Sequence, residues 1–249
     1  MSDEPIPAAT LVLVRDRAGQ GRGGAPELLM VERAPGMAFA GGALVFPGGR
    51  IDAADATGAA GLGDGAARVA AIRETIEETA IPVGLRPQPT AEEALTMQAA
   101  LVADRPFGEV LGTKFALAPE DLTPWARWLP NFHVTRRFDT LFFIAPAPDG
   151  DWQPHVIAGE CSGAFWLTAA EALERERGGD ARLIFPTRRN LERLALHASF
   201  AEMRADAQAH PIEPVTPWVE EHDGERFIVI PDHLGYPVTR EKLDGLWRG

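Results

Sequence analysis

The chain has 249 residues and a single cysteine, Cys161. One thiol cannot form an internal disulfide, which fits a reducing compartment and excludes a disulfide-stapled scaffold. No stretch approaches the roughly 20 consecutive apolar residues that span a bilayer. The N-terminus, Met1-Ser2-Asp3-Glu4-Pro5, lacks the basic start of a secretory signal, and the last residues are no peroxisomal address. A cytoplasmic protein with no membrane partner is expected. Basic runs are missing too. With a formal net charge of −12 there is no basic face to grip a nucleic-acid backbone, so no nucleic-acid partner is expected. An acidic protein can still act on a small phosphorylated molecule if a bound cation supplies the positive charge. Internal repeats and low-complexity tracts are absent as well.

What is present suffices for a full core. Hydrophobic residues make up 45% and charged residues 24% of the chain, which argues for one elaborated domain, or a domain plus a small appendage, rather than extended disorder. Residues 10–15 (TLVLVR) and 27–33 (ELLMVER) read as a strand pair around a Gly-rich turn at 19–24. Residues 43–46 form a further short strand, ended by Pro47-Gly48-Gly49. The small-residue stretch 53–65 reads as a surface loop. A helix is expected from about 66 to 79, with Asp64 as its cap and Pro82 blocking extension. Thr90 with Glu93 and Thr168 with Glu171 are capping boxes opening two more helices, the second ending at Gly178-Gly179. The segment from 90 to about 114 should be mostly helical or looped. Residues 137–145, 163–167 and 227–230 read as strands, and one long helix is expected over 187–210. Strands interleaved with helices point to an α/β sandwich on a mixed sheet.

The informative segment is Arg73-Glu74-Thr75-Ile76-Glu77-Glu78. At spacings of three and four, Glu74, Glu77 and Glu78 share one helix face, while Val69, Ile72 and Ile76 carry core spacing on another. The acids either form a solvated face or hold a cation. They repel one another, and they sit near the helix C-terminus, where the dipole favours positive charge. A divalent cation such as Mg²⁺ would resolve that repulsion and keep coordination sites for a phosphate. Gly48 and Gly49 could let the backbone approach a ligand closely, as candidate substrate-binding residues.

These residues resemble the Nudix box, G-x5-E-x7-R-E-U-x-E-E-x-G-U, with U a bulky aliphatic residue. Gly49, Arg73, Glu74, Glu77, Glu78 and Ile81 match it, and Asp55 stands six residues after Gly49 in place of the first glutamate. Seventeen residues, 56–72, separate Asp55 from Arg73 where the pattern has seven; Thr75 replaces an aliphatic residue and Ala80 the late glycine. The stretches 39–49 (FAGGALVFPGG), 71–78 (AIRETIEE), 137–143 (RFDTLFF) and 186–190 (PTRRN) look like the Nudix branch that includes a mammalian peroxisomal coenzyme A diphosphatase.

The resemblance implies a Nudix-type α/β/α sandwich with additional helices, the box lying in 49–81. It implies Mg²⁺ or Mn²⁺ held by Glu74, Glu77 and Glu78, and hydrolysis of a diphosphate linkage in a small molecule such as coenzyme A or acyl-coenzyme A. ADP-ribose and nucleotide sugars are alternative substrates, and a nucleotide-sensing domain without turnover is a second class. Arg73 either orients Glu77 or a neighbouring acid, or makes an ordinary ion pair. Glu160 precedes strand 163–167, where related enzymes can supply a base or an additional metal ligand; otherwise it is a loop carboxylate. Arg188 and Arg189 could meet a phosphate or sit solvated in a first helical turn. Trp125, Trp128 and Phe132 read as core, His133 and His155 as structural, and Cys161 as a buried or strand-edge thiol.

Overall fold

The computed structural model describes residues 4–16, 24–37, 40–58, 61–130, 137–159 and 161–243. Glu160, Phe132, His133 and most of the expected turn at 19–24 lie outside the described residues. The chain opens with β1 (Ile6–Arg15), β2 (Glu27–Arg33), β3 (Leu44–Val45) and β4 (Gly48–Arg50), then a 3-10 turn at Ala53–Gly58 and helix α1 (Gly65–Thr79). Next come β5 (Leu85–Arg86), α2 (Ala91–Val102), α3 (Phe107–Leu111), β6 (Ala116–Leu117), β7 (Thr123–Trp128), β8 (Phe138–Pro146) and β9 (Cys161–Thr168). The C-terminal third holds α4 (Ala169–Gly178), α5 (Phe185–Leu194), α6 (Phe200–Ala209), β10 (Pro214–Val215), β11 (Trp218–His222), β12 (Glu225–Val229) and β13 (Arg240–Lys242).

The main sheet is mixed, with the order β10-β7-β8-β1-β2-β3; β4 pairs with β1 and β9 with β2. Strands β1 and β8 run parallel from Ile6 opposite Phe138 to Val14 opposite Pro146. Successive side chains of a strand point to opposite faces, and β1 shows the consequence. Leu11 and Leu13 enter a buried cluster with Val69, Ile72 and Ile76 of α1, Met97 and Leu101 of α2 and Phe107 of α3. Val12 and Val14 enter another with Trp125 and Trp128 of β7, Leu191 and Leu194 of α5 and Met203 of α6. Helices on both sheet faces give the α/β/α sandwich. Burying a side chain such as Leu11 or Ile72 contributes roughly 1.5–3 kcal/mol relative to exposure. Among the described residues no helix is long and apolar enough to cross a membrane.

Both capping boxes form. Thr90 and Thr168 accept from the backbone N–H groups of Glu93 and Glu171, whose carboxylates accept the threonine N–H groups in return. The expected long helix over 187–210 is instead two helices, α5 and α6. Ser199 breaks it: its hydroxyl accepts the Glu202 N–H at 3.2 Å, while the Glu202 carboxylate accepts the Ala198 N–H at 2.7 Å. That arrangement stabilises a new helix start better than a continuing turn. The glycine pair corrects a second expectation. The short strand does end before Pro47, but Gly48 and Gly49 are no turn: they lie in β4, opposite Thr10 and Ala9 of β1. A Cβ on Gly48 would lie 2.7 Å from the Thr10 hydroxyl and collide with the Ala9 carbonyl, so only glycine permits the pairing.

Candidate functional site

Strand β4 and helix α1 meet at one wall of a cavity of about 630 Å³, lined there by Gly48, Gly49, Arg73, Glu74 and Glu77. Helix α1 brings the acids because its other face is anchored by Val69, Ile72 and Ile76. Its end is set by Ala80, which takes a left-handed conformation at φ 56° and returns its N–H to the Ile76 carbonyl at 2.8 Å. Glycine adopts that conformation without strain, which accounts for the glycine of the box at this place.

Gly49 matters for its missing side chain. A Cβ there would fall 2.5 and 2.6 Å from the two Glu74 carboxylate oxygens. The Gly48 N–H donates to Glu78 Oε2 at 3.2 Å. In this structure the glycines therefore approach the acids themselves. Glu78 is buried, 8% exposed, and does not line the cavity, whereas Glu74 and Glu77 do. Among the described residues no three His, Cys, Asp or Glu side chains already converge as a metal-ligating group.

Arg73 organises this wall. Its Nε and one terminal nitrogen donate to the two Asp55 oxygens, both at 3.0 Å, and its other terminal nitrogen donates to Glu74 Oε1 at 2.7 Å. The Arg50 carbonyl accepts a further bond at 3.0 Å, and Glu77 Oε2 lies 3.7 Å away. Burial works against the guanidinium's charge, but the Asp55 hydrogen bonds and the charges of Glu74 and Asp55 outweigh it and hold its pKa above the ordinary arginine value. Asp55 is only 2% exposed and also accepts the Asp52 N–H at 2.8 Å. The stretch 53–65 is thus no plain surface loop: its 3-10 turn delivers Asp55 beneath Arg73. Asp64 precedes α1 but does not cap it with its side chain; its carboxylate accepts from Arg68 at 2.7 Å, and Arg68 is fixed by the Pro119 and Leu122 carbonyls.

The same cavity is lined by the aromatic residues Phe46, Trp128, Phe138, Phe142 and Phe185. Trp125 and Trp128 are core residues, each 1% exposed, bonded through their indole N–H groups to Asn190 and Tyr236. Cys161 is buried at the start of β9. His155 is structural: its N–H donates to the Thr79 carbonyl at 2.9 Å and its ring meets Gln98 Oε1 at 2.6 Å. Gln98, fully buried and not singled out by its sequence, also donates to the Glu77 carbonyl at 3.0 Å and so fixes the end of α1. Arg188 and Arg189 do not line the cavity and are held by Glu176, Glu192 and Glu241.

Comparison with known proteins adds three findings. The NUDIX domain model matches residues 5–186. “Putative nudix hydrolase 7” of Caenorhabditis elegans is 28% identical over 174 residues, 68% of this chain and 55% of the relative. The chain thus spans about half the length of that curated relative. The crystal structure of a NUDIX hydrolase from Alicyclobacillus acidocaldarius is similar with a TM-score of 0.70 and 27% identity, covering 81% of this chain and 96% of that one.

Proposed function

The chain belongs to the NUDIX family of hydrolases, and from that premise we propose that it hydrolyses the diphosphate linkage of a nucleoside diphosphate derivative, coenzyme A or an acyl-coenzyme A foremost. The observation that carries this reading is one cavity lined both by the acids Glu74 and Glu77 and by the aromatic residues Phe46, Trp128 and Phe138. The acids suit a cation-bridged diphosphate, and the aromatic residues suit the uncharged portions of such a molecule. The likeness of residues 39–49, 137–143 and 186–190 to the coenzyme A diphosphatase branch favours that substrate.

The donor set fits a hard cation. Glu74, Glu77 and Glu78 offer only carboxylate oxygens, which suit Mg²⁺ or Mn²⁺ rather than softer metals. When bound, such an ion neutralises phosphoryl oxygens and lowers the pKa of water. The chain's own residues prepare for it. Asp55 holds Arg73, and Arg73 holds Glu74 against Gly49, leaving Glu77 at the cavity surface. Gly48 anchors Glu78. Glu160 is proposed as the base that takes a proton from the attacking water, by its place just before β9.

The test is chromatographic turnover of coenzyme A and ADP-ribose with Mg²⁺ or Mn²⁺, with and without chelator. Cleavage should require metal, and Glu77→Gln should lower turnover by about 100-fold or more, the rate equivalent of several kcal/mol of charge stabilisation. Tight binding of either compound without metal-dependent cleavage would make the protein a nucleotide sensor instead.

A further inference from the structure

The cavity is lined by an arginine, Arg33, whose buried Nε meets no acceptor among the described residues. Arg33 closes β2 at a register shift, where pairing passes from Glu32 opposite Gly163 to Arg33 opposite Cys161. Irregularities of this kind re-aim a side chain away from the regular alternation. The backbone is fixed there: the Arg33 N–H donates to the Ala43 carbonyl and its carbonyl accepts from Gly42, both at 3.0 Å. The side chain lines the same cavity as Glu74 and Glu77. Its Nε is buried, yet among the described residues it meets no acceptor. Burying a donor without an acceptor is unfavourable, and native proteins rarely do so without a use for it.

The other cations of the cavity differ. Arg73 is committed to Asp55 and Glu74, and Arg50 and Arg105 are exposed. We propose that Arg33 is a substrate-binding residue that grips a phosphate group of the ligand, donating to its oxygens from β2 while the carboxylates act from α1. A guanidinium stays charged at any working pH and presents a planar fork matched to phosphate oxygens. It also supplies a positive charge on a wall system otherwise dominated by acids, so that an anionic ligand is held without relying on metal alone. The inference rests on reading the cavity as a diphosphate site.

The full chain would be titrated calorimetrically with ADP in Mg²⁺, unaltered and as Arg33→Gln, Arg33→Lys and Arg50→Gln. Losing a hydrogen-bonded charge pair to the ligand should weaken ADP binding by about 10- to 100-fold in Arg33→Gln. Arg33→Lys should recover part of this, and Arg50→Gln should change affinity by less than roughly threefold, as expected of an exposed charge. The ligand-free Arg33→Gln chain should melt at the same or a higher temperature, because its buried donor stabilises nothing. Unchanged ADP affinity in Arg33→Gln, an unfolded Arg33→Gln chain, or no ADP binding by the unaltered protein would each overturn the inference. Arg33-dependent binding without metal-dependent cleavage would leave it standing and sink only the proposed activity. Cleavage with ADP affinity indifferent to Arg33 would do the reverse.

Discussion

The acids beside Arg73 and those beside Arg188 and Arg189 begin from similar sequence, short clusters of Arg and Glu on helices, and end in opposite electrostatic states. Arg73 is a single cation within ion-pair reach of four carboxylates, at 3.0 Å for Asp55, 2.7 Å for Glu74, 3.6 Å for Asp52 and 3.7 Å for Glu77. Arg188 and Arg189 share three: Arg188 pairs with Glu176 at 2.6 Å and Glu241 at 2.9 Å, and Arg189 pairs with Glu192 at 2.7 Å and with Glu241. The first cluster lines the large cavity, and none of the second does. The second fastens α4, α5 and β13 together and is nearly balanced within itself. Excess negative charge held at a cavity has to be useful to something that enters it, whereas a cluster with two cations for three carboxylates, away from the cavity, leaves less charge for a ligand to answer.

The sharpest way to break this comparison is to disturb the first cluster without touching an acid of the helix. In Asp55→Asn the two bonds that Arg73 makes to a buried carboxylate are weakened, and the guanidinium becomes a stronger competitor for Glu74 and Glu77. If those acids hold metal, Mn²⁺ affinity and turnover should both fall by about 10- to 100-fold, the usual cost of losing a partner that orients a ligand. Calorimetric Mn²⁺ binding indistinguishable from that of the unaltered chain would mean that the Arg73 network is as purely structural as the other.

Much of the first cluster was legible because it depends on local spacing: positions 74, 77 and 78 fall on one helical face whatever the rest of the chain does. Asp55 was harder. Its pairing with Arg73 spans a stretch of 17 residues, and no periodic rule links two positions across an irregular segment. The Glu241 partner shared by Arg188 and Arg189 was unreadable for the same reason, since it lies about 50 positions away on β13. The division between α5 and α6 is a different case. Ser199 and Glu202 carry the same S-x-x-E signal that marks a helix start at Thr90 and Thr168, but apolar periodicity across 187–210 masked it. Short strands such as β10 and β13 owe their existence to neighbours in space, not to a pattern of their own. Arg33 looked like the end of a strand, and only its position in the cavity distinguishes it.

A second test strikes the nearly balanced cluster. Arg189 is 2% exposed, and its guanidinium lies 5.0 Å from the Phe185 ring. Arg189→Met keeps apolar contact but leaves Glu192 and Glu241 without a shared cation. Urea unfolding should show a loss of about 1–3 kcal/mol, below the full cost of breaking a buried pair because both acids retain some contact with water. Turnover at saturating substrate should stay within roughly twofold, since a site away from the cavity makes no contact with the transition state. Lost turnover at undiminished stability would place this cluster in the active machinery.

The smallest expected effect tests whether even the nearly balanced cluster is fully compensated. Burial pushes the Glu192 carboxyl pKa above its ordinary value; the charges of Arg189 and Arg188 pull it down without cancelling that, and Glu241 and Glu176 add to the rise. A carboxyl whose folded pKa is raised binds its proton more tightly in the folded state, so its ionisation costs stability. That cost is complete once the pH exceeds the folded value, and it disappears as the pH falls below the unfolded value of about 4.3, where both states are protonated. Glu192→Gln removes the ionisation while keeping the shape. Its urea midpoint should exceed that of the unaltered chain at neutral pH, and the difference should close as the pH is lowered through the carboxylate range. A Glu192→Gln chain less stable at neutral pH would show that the 2.7 Å contact with Arg189 outweighs desolvation, making the ion pair a net stabiliser rather than a tolerated burial.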